Sequence, residues 1–435
     1  MTIEQFRVYM KIVIVGGHLS PAFAVIDSLP KDTKILFIGR KFALEGDKAL
    51  SLEYQTITKH NIPYSVILTG RLQRVFTKHT IPSLFKTPYG FIQSFFILRN
   101  FKPDVVLSFG GYLSLPVGFS AFFLGIPIVI HEQTLEAGIA NRILSFFAKK
   151  ICVSWESSRK FFPREKTILT GNPVRKFQKL DNELTFFGRH SGNQALPEPS
   201  RISMLQRDAG QAVRRLLESE RPRSRRPELT AEWASMTGLA NIDKELPILY
   251  ITGGSSGSHF INTLVEGCVK ELLEKFVIIH QTGDAERYRD FERLNNLRDN
   301  LPSKLEARYF LIKFVEPKDV GSYLKKAHLV VSRAGINTIT ELIFFKKPSL
   351  LIPLPYSQNN EQIKNALFLK SLGLGEVVYQ DSLNHKKFLE ILIEMFDNID
   401  RYKISNQALP DQDDKGKAAQ KIVEVVKYEA KVKEK

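Results

Sequence analysis

Three glycine turns, one histidine and one His–Glu pair are the residues best suited to chemistry in this 435-residue chain. Gly16-Gly17-His18 follows the apolar run KIVIV and precedes PAFAVIDSL. Backbone N–H groups at such a strand-to-helix turn suit a phosphate or another anion. The second turn, GGSSGS at 253–258, has residues small enough for a diphosphate to approach the backbone, and Ser255 and Ser256 can donate hydroxyls. The third, Ser332-Arg333-Ala334-Gly335, leads into INTITE. There Thr338 and Thr340 are expected in the first helical turn. Glu341 falls near the helix start, where a carboxylate can accept both hydroxyls of a ribose. One such turn is ordinary punctuation between strand and helix; three converging on one cleft read as a ligand site. His18 suits a general base, because the unperturbed imidazole titrates near neutrality. His131 and Glu132 end another apolar run, and adjacent side chains on a strand point to opposite faces, so one of the two should face a cleft. No HExxH or clustered His/Cys occurs, so no protein-built metal site is expected.

The elements that must position these residues are legible in the hydrophobic pattern. KIVIV (11–15), ILFIGR (35–40), DVVLSFGG (104–111), IPIVIHE (126–132) and KKICVSW (149–155) read as buried strands with helical stretches between them. The pattern restarts with LPILYITGG (246–254) and continues through KFVIIHQTG, ARYFLIKFV, KAHLVVSRAG and KPSLLIPLP. Such alternation predicts an α/β chain with two Rossmann-like halves, whose glycine turns face a cleft at the carboxyl ends of the strands. Residues 105–130 carry no charge and are long enough to cross a bilayer, but Gly110-Gly111, Pro116 and Gly125-Ile126-Pro127 divide them into strand, loop, helix and strand. They are expected to be core. The final segment, KGKAAQKIVEVVKYEAKVKEK, reads as a Lys/Glu helix with an Ala/Ile/Val stripe, fraying at 433–435.

Composition and charge narrow the class. With 43% apolar and 25% charged residues the chain is globular rather than disordered. Cys152 and Cys268 stand far apart, which leaves no disulfide framework and points to a reducing compartment. The first residues lack the features of a signal peptide. Formal net charge is +16, and residues 1–180 hold most of the excess, with 24 Lys/Arg against 11 Asp/Glu. Residues 54–103 have no acid at all, and aromatic side chains lie among their Lys and Arg. A local positive field with aromatics suits an anionic membrane surface. No nucleic-acid motif accompanies it, so no nucleic-acid partner is expected. Residues 181–243 break the rhythm, with nine Arg, no Lys and segments such as ERPRSRRPE. They read as an inserted, mostly irregular piece, with 200–220 a candidate amphipathic helix.

Seven motifs in order, VGGH with Pro21-Ala22, SFGGYLSLP, GIPIVIHEQT with GIANR, TGNPVR, GGSSG, SRAG with TITE, and NNEQIKNA, resemble those of the MurG family of peptidoglycan N-acetylglucosaminyltransferases. The resemblance spans about residues 10–180 and 245–425. It implies a GT-B fold: an acceptor and membrane-facing domain over 10–180, the insert at 181–243, a donor domain over 244–410, and a C-terminal helix over 411–435 that packs back toward the first domain. It also implies an inverting transfer of GlcNAc from UDP-GlcNAc to the C4 hydroxyl of MurNAc in undecaprenyl-diphosphate-MurNAc-pentapeptide, at the cytoplasmic face of the membrane by peripheral attachment. Matched residue by residue, Arg175, Ser255, Val315, Ala334, Gly335, Ile336, Asn337, Thr338, Glu341, Gln362 and Asn365 would bind the donor. Gly16, Gly17, Tyr112, His131, Thr134 and Asn141 would line the acceptor side. His18 would be the base, with Glu132 next. No cofactor is built in, and a divalent cation could assist through the diphosphate. Two departures fall on the acceptor side or its border with the donor: the first loop is VGGH where the family has GGTGGH, and HEQT replaces HEQN. A GT-B transferase with another lipid acceptor, or a non-catalytic UDP-sugar-binding protein, are the alternatives that these departures leave.

Overall fold

The computed structural model describes residues 10–42, 50–70, 80–174, 246–254, 257–283, 285, 287–315, 319–357, 360–403 and 417–432. Two parallel sheets organise them. The first has the order β3-β2-β1-β4-β5-β6-β7, built from β1 (Lys11–Val15), β2 (Lys34–Gly39), β3 (Tyr64–Val66), β4 (Val105–Ser108), β5 (Ile128–Glu132), β6 (Lys150–Val153) and β7 (Thr167–Leu169). The second has the order β10-β9-β8-β11-β12-β13, from β8 (Ile248–Thr252), β9 (Val277–Gln281), β10 (Tyr309–Ile312), β11 (Leu329–Ser332), β12 (Ser349–Leu351) and β13 (Gly375–Val377). In both, chain order reverses beside the first strand of the half, between β1 and β4 and between β8 and β11. Ligands bind at such a switch point in open α/β sheets, because the loops leave in opposite directions and open a crevice.

The strands are apolar runs because both faces are covered. Ile12 and Ile14 pack into one layer with Val105 and Val129, while Val13 and Val15 pack into the other with Val106 and Ile130. The helices supplying these layers include α1 (Leu19–Ile26), α2 (Leu52–Lys59), α3 (Thr80–Phe101), α4 (Ser114–Phe123) and α5 (Ile139–Leu144). The helix Lys417–Val432 joins the first layer: Ala419, Ile422, Val423, Val426 and Ala430, at helical spacing, lie in one cluster with Ile12 and Ile14. The last described helix of the chain therefore covers the first sheet.

The uncharged stretch 105–130 forms β4, α4 and β5, as its glycines and prolines predict, and among the described residues no helix is long and apolar enough to cross a membrane. The sequence differs from the structure at three kinds of place. Strands β3, β7 and β13 have three residues each, too few for a pattern of period two to be visible. The stretch after GGSSGS is two helices, His259–Glu266 and Val269–Lys275, rather than one. The break falls at Gly267, where a side chain would press on the His385 ring and Cβ. Thr340 lies in the second turn of its helix, one turn later than expected. The 181–243 segment and its candidate helix lie outside the described residues, as do 433–435.

Candidate active site

Loops from both halves enclose a cleft of about 400 Å3. Its first wall is the switch point of the first sheet. Gly16, Gly17 and His18 follow β1, and Gly110 and Gly111 follow β4 with φ of 80° and 81°, values that L side chains rarely adopt. The two turns touch: a Cβ on Gly17 would collide with the Gly110 carbonyl. Gly17→Ala should therefore cost about 1–3 kcal/mol by overpacking. Gly335→Ala, at a position with open space around its Cβ, should cost less, no more than the poorer helix capping of alanine. Thermal melts of the two variants check the contrast; equal melts would contradict this packing.

His18 is the N-cap of α1, with extended backbone and no capping bond from its side chain. The ring is thus left to the cleft, which it lines together with Tyr112. It is half-buried, and desolvation lowers its pKa to about 4. At neutral pH it is an uncharged imidazole able to accept a proton.

Glu132 ends β5 and faces the cleft, but its carboxylate is fully engaged. Oε1 accepts from the Thr134 N–H at 3.0 Å and the Thr134 hydroxyl at 2.6 Å, and Oε2 from the Gly138 N–H at 2.9 Å and Asn141 Nδ2 at 3.0 Å. A carboxylate so occupied organises the 134–141 loop. The Thr134 hydroxyl also approaches the Glu136 carbonyl and is spent inside the loop. His131 points the other way, as strand alternation requires. Its ring lies 5.3 Å from that of Phe109 and its Nε2 is 3.1 Å from Ser154 Oγ. It is 1% exposed, and burial lowers its pKa to about 3. Its assignment to the acceptor surface is corrected: the ring is core, behind the wall.

Asn141 Nδ2 is held by Glu132 and by the His131 carbonyl at 3.3 Å, which leaves Asn141 Oδ1 buried without a partner on the cleft wall. Asn365 repeats the arrangement from the second half: Nδ2 donates to the Ala334 carbonyl at 3.0 Å and Oδ1 is buried and unpartnered. Both residues line the cleft, and buried polar atoms are nearly always satisfied, so the two unpartnered oxygens are unusual.

The second half presents its own glycine turns. Gly254, with φ of 86°, and Gly335 have open space where a Cβ would be. Gly335 caps the helix Ile336–Phe344, whose first turn holds no acid. Ala334 and Ile336 are buried, and Asn337, Thr338 and Glu341 are half-buried. Val315 is buried at 3% exposure. Ser258 caps the helix His259–Glu266 and accepts from Arg333 Nε at 3.1 Å. Arg333 also donates to the Ile352 carbonyl at 3.0 Å and Gln380 Oε1 at 3.0 Å, tying both glycine turns to the segments after β12 and β13. Burial lowers its pKa only to about 10, so it stays cationic. Gln362 Oε1 accepts from the Leu354 N–H at 3.0 Å, so this side chain holds a loop; the carboxylate of that helix on the cleft wall is Glu361. Burial first, then Glu132, raises the Glu361 pKa. Arg175 and Ser255 lie outside the described residues.

Sequence reasoning missed Arg40, Glu53, Glu361 and Lys364, all on the cleft wall. Arg40 and Glu53 had a findable signal: Arg40 directly follows a strand, at the end where ligands bind. The halves meet through Asn172 Nδ2 donating to Thr340 Oγ1 at 2.7 Å, the Trp155 and Phe368 rings 4.9 Å apart, and Lys364 Nζ at 2.6 Å from Glu136 Oε1. The last pair is 43% exposed at each end and contributes well under about 1 kcal/mol.

His280 forms a buried centre behind the second sheet, 2.9 Å from the Tyr309 hydroxyl and 3.0 Å from Asn262 Oδ1. Burial lowers its pKa to about 3. A histidine whose folded pKa is depressed binds fewer protons than in the unfolded chain between that value and 6.5, so stability is lost as pH falls through this window. Glu53 and Glu361, raised by burial, act in the opposite sense. His280→Gln, which keeps one donor and one acceptor, should make the urea midpoint less dependent on pH between 6.5 and 4. Parallel profiles for the two proteins would refute this.

Two Rossmann-like halves that share a cleft define a GT-B-type fold. Residues 15–153 match the glycosyltransferase family 28 N-terminal domain and residues 248–426 its C-terminal domain. A UDP-N-acetylglucosamine–N-acetylmuramyl-(pentapeptide) pyrophosphoryl-undecaprenol N-acetylglucosamine transferase of Clostridium kluyveri is 32% identical over 389 residues, covering 88% of this chain and 90% of that protein. The equivalent transferase of Treponema denticola is 31% identical over 386 residues, covering 87% and 85%. Among solved structures, Acinetobacter baumannii MurG superposes with TM-score 0.61 at 20% identity, over 97% of this chain and 99% of that one. A UDP-GlcNAc 2-epimerase from Neisseria meningitidis does so with TM-score 0.56 at 17% identity, over 96% and 100%. These two likenesses speak to fold. The chain belongs to glycosyltransferase family 28.

Proposed function

We propose that this chain transfers GlcNAc from UDP-GlcNAc to the C4 hydroxyl of MurNAc in undecaprenyl-diphosphate-MurNAc-pentapeptide, with inversion. The observation that carries the reading is the shared cleft. His18 and Asn141 line it from one half, Asn365 and Glu361 from the other, in a chain that aligns almost end to end with transferases named for this reaction.

The donor sits against the second half. Glu341 holds the ribose, the Val315 backbone meets the uracil, and the turns at 253–258 and 332–335 take the diphosphate, with Asn365 on the GlcNAc. Helix N-termini and backbone amides stabilise the charge that develops on UDP as it leaves. The acceptor enters beside Gly16, Gly17, Tyr112 and Asn141. Its C4 hydroxyl gives its proton to the neutral His18 ring, the oxygen bonds to GlcNAc C1, and the C1–phosphate bond breaks with its electron pair going to UDP. Attack opposite the leaving group inverts C1. A divalent cation acting here would arrive on the donor's diphosphate.

Peripheral attachment at the cytoplasmic membrane face belongs to the same reading. Ile92, Phe96, Phe122, Phe123 and Phe146 are 48–75% exposed, and ring contacts of Phe91 with Phe123 and of Phe122 with Phe147 join α3, α4 and the segment after α5 into one aromatic face. Arg99 and Lys102 at the end of α3 and Lys149 and Lys150 at β6 add charge near it. Absence of sedimentation with vesicles containing anionic lipid would remove this part. The transfer itself is tested by UDP release from UDP-GlcNAc with and without a short-chain diphosphate-linked MurNAc-pentapeptide. Acceptor-dependent release is expected; donor binding without release under either condition would overturn the assignment.

A further inference from the structure

The cleft wall of the first half carries an arginine that no motif accounts for. Arg40 directly follows β2, beside the turn of Gly16, Gly17 and His18. Its backbone is pinned on both sides. The N–H donates to Glu53 Oε1 at 3.3 Å, and the carbonyl accepts from Ser51 Oγ at 2.8 Å and from the Tyr64 hydroxyl at 2.8 Å. Tyr64 also lies 2.9 Å from Glu53 Oε1. The Glu53 carboxyl fills the space over Gly16 and Gly39, where any Cβ would strike it. A rigid base therefore holds the Arg40 side chain at the cleft, half-buried.

Two other charged groups on the described wall are already engaged. Lys364, the other cation on the wall, is tied to Glu136, and Glu132 is saturated by four donors. Among the described residues, the Arg40 guanidinium makes no hydrogen bond to a carboxylate. Glu53 interacts with Arg40 electrostatically, and burial raises the Glu53 pKa, which weakens the neutralisation. The adjacent turn is short of donors, because Pro21 in the first turn of α1 has no N–H. A guanidinium offers five N–H groups in a planar fork that fits phosphate oxygens two at a time.

We propose that Arg40 is an anion-binding residue of the acceptor half, its guanidinium taking phosphate oxygens of the diphosphate that links the acceptor sugar to its lipid. This rests on the transfer proposed above. It adds to that reading the group that supplies, next to the short Gly16-Gly17 turn, the donors the turn lacks.

Steady-state kinetics of the full chain, Arg40→Gln and Arg40→Lys test it, with a short-chain diphosphate acceptor. Arg40→Gln should raise the acceptor KM at least tenfold with the UDP-GlcNAc KM within twofold, and Arg40→Lys should recover part of the loss. An unchanged acceptor KM would overturn the assignment. A rise confined to the UDP-GlcNAc KM would do so too, by giving the arginine to the donor's diphosphate. Calorimetric titration with inorganic pyrophosphate, in saturating UDP to fill the donor site, reads the same side chain without turnover. Weaker pyrophosphate binding by at least fivefold in Arg40→Gln, with an unchanged melting temperature, supports the site; equal binding rejects it. If the wild-type protein makes no product, the transfer reading fails by itself, and this titration still decides Arg40.

Discussion

His18→Ala lowers kcat by a factor of about 100 to 10,000, the range for loss of a positioned general base. It leaves the UDP-GlcNAc dissociation constant within twofold, because His18 lines the cleft from the first half and the turns proposed for the donor lie on the other sheet. The pH profile is part of the prediction. The base must be neutral to work, and the free ring titrates at about 4, so kcat/KM should stay flat from neutrality to about pH 5 and fall only as the pH drops toward 4. An anionic diphosphate beside the ring favours the imidazolium, so the acid limb of kcat should lie at higher pH than that of kcat/KM. Stopped assays of product formation across this range, with donor affinity measured by calorimetry, check both parts. Turnover equal to wild type would remove His18 from the base role.

Glu132→Ala has the second large effect, and its signature differs. The substitution abandons four donors in a site 2% exposed: two backbone N–H groups, the Thr134 hydroxyl and Asn141 Nδ2. Each unsatisfied buried donor costs about 1–3 kcal/mol, and partial rearrangement of the loop brings the expected total to about 3–4 kcal/mol. Activity falls with stability, because Asn141, a residue of the cleft wall, loses one of the two partners of its side chain. The acceptor kcat/KM should drop at least a hundredfold, with donor binding retained. Glu132→Gln keeps an acceptor oxygen but turns an N–H toward one of the former donors, so it should fall between. Thermal melts beside acceptor kinetics separate the roles: a base acting directly would lose turnover with no change in melting temperature.

These two residues show what a sequence can and cannot disclose. The strands at Ile12–Val15 and Val105–Ser108 are visible because burial on both faces demands unbroken apolar runs, and glycine turns are visible because no other residue lets Gly17 approach Gly110. His18 was found by its place after such a turn. For the pair at the end of β5, alternation says that one side chain faces the cleft, but the choice of Glu132 depends on donors at 134, 138 and 141 and on the core space that Phe109 leaves for His131. Arg40 and Glu53 are harder to see because β2 ends on the single Gly39 rather than on a glycine pair; their partnership with Tyr64 exists only once β2, α2 and β3 are packed together. In the fold Gln362 braces the Leu354 backbone, and its neighbour Glu361 lines the wall. A helix shows which residues are neighbours, and tertiary contact decides which of two neighbours faces a ligand.

The most direct test of the central claim is the structure of the product. Purified protein, UDP-GlcNAc and a short-chain diphosphate-linked MurNAc-pentapeptide should give a disaccharide whose NMR spectrum shows a β linkage from GlcNAc C1 to the MurNAc C4 oxygen. An α linkage, attachment at another hydroxyl, or sugar transferred only to water would contradict a cleft in which His18 and the donor turns act on one bond from opposite sides.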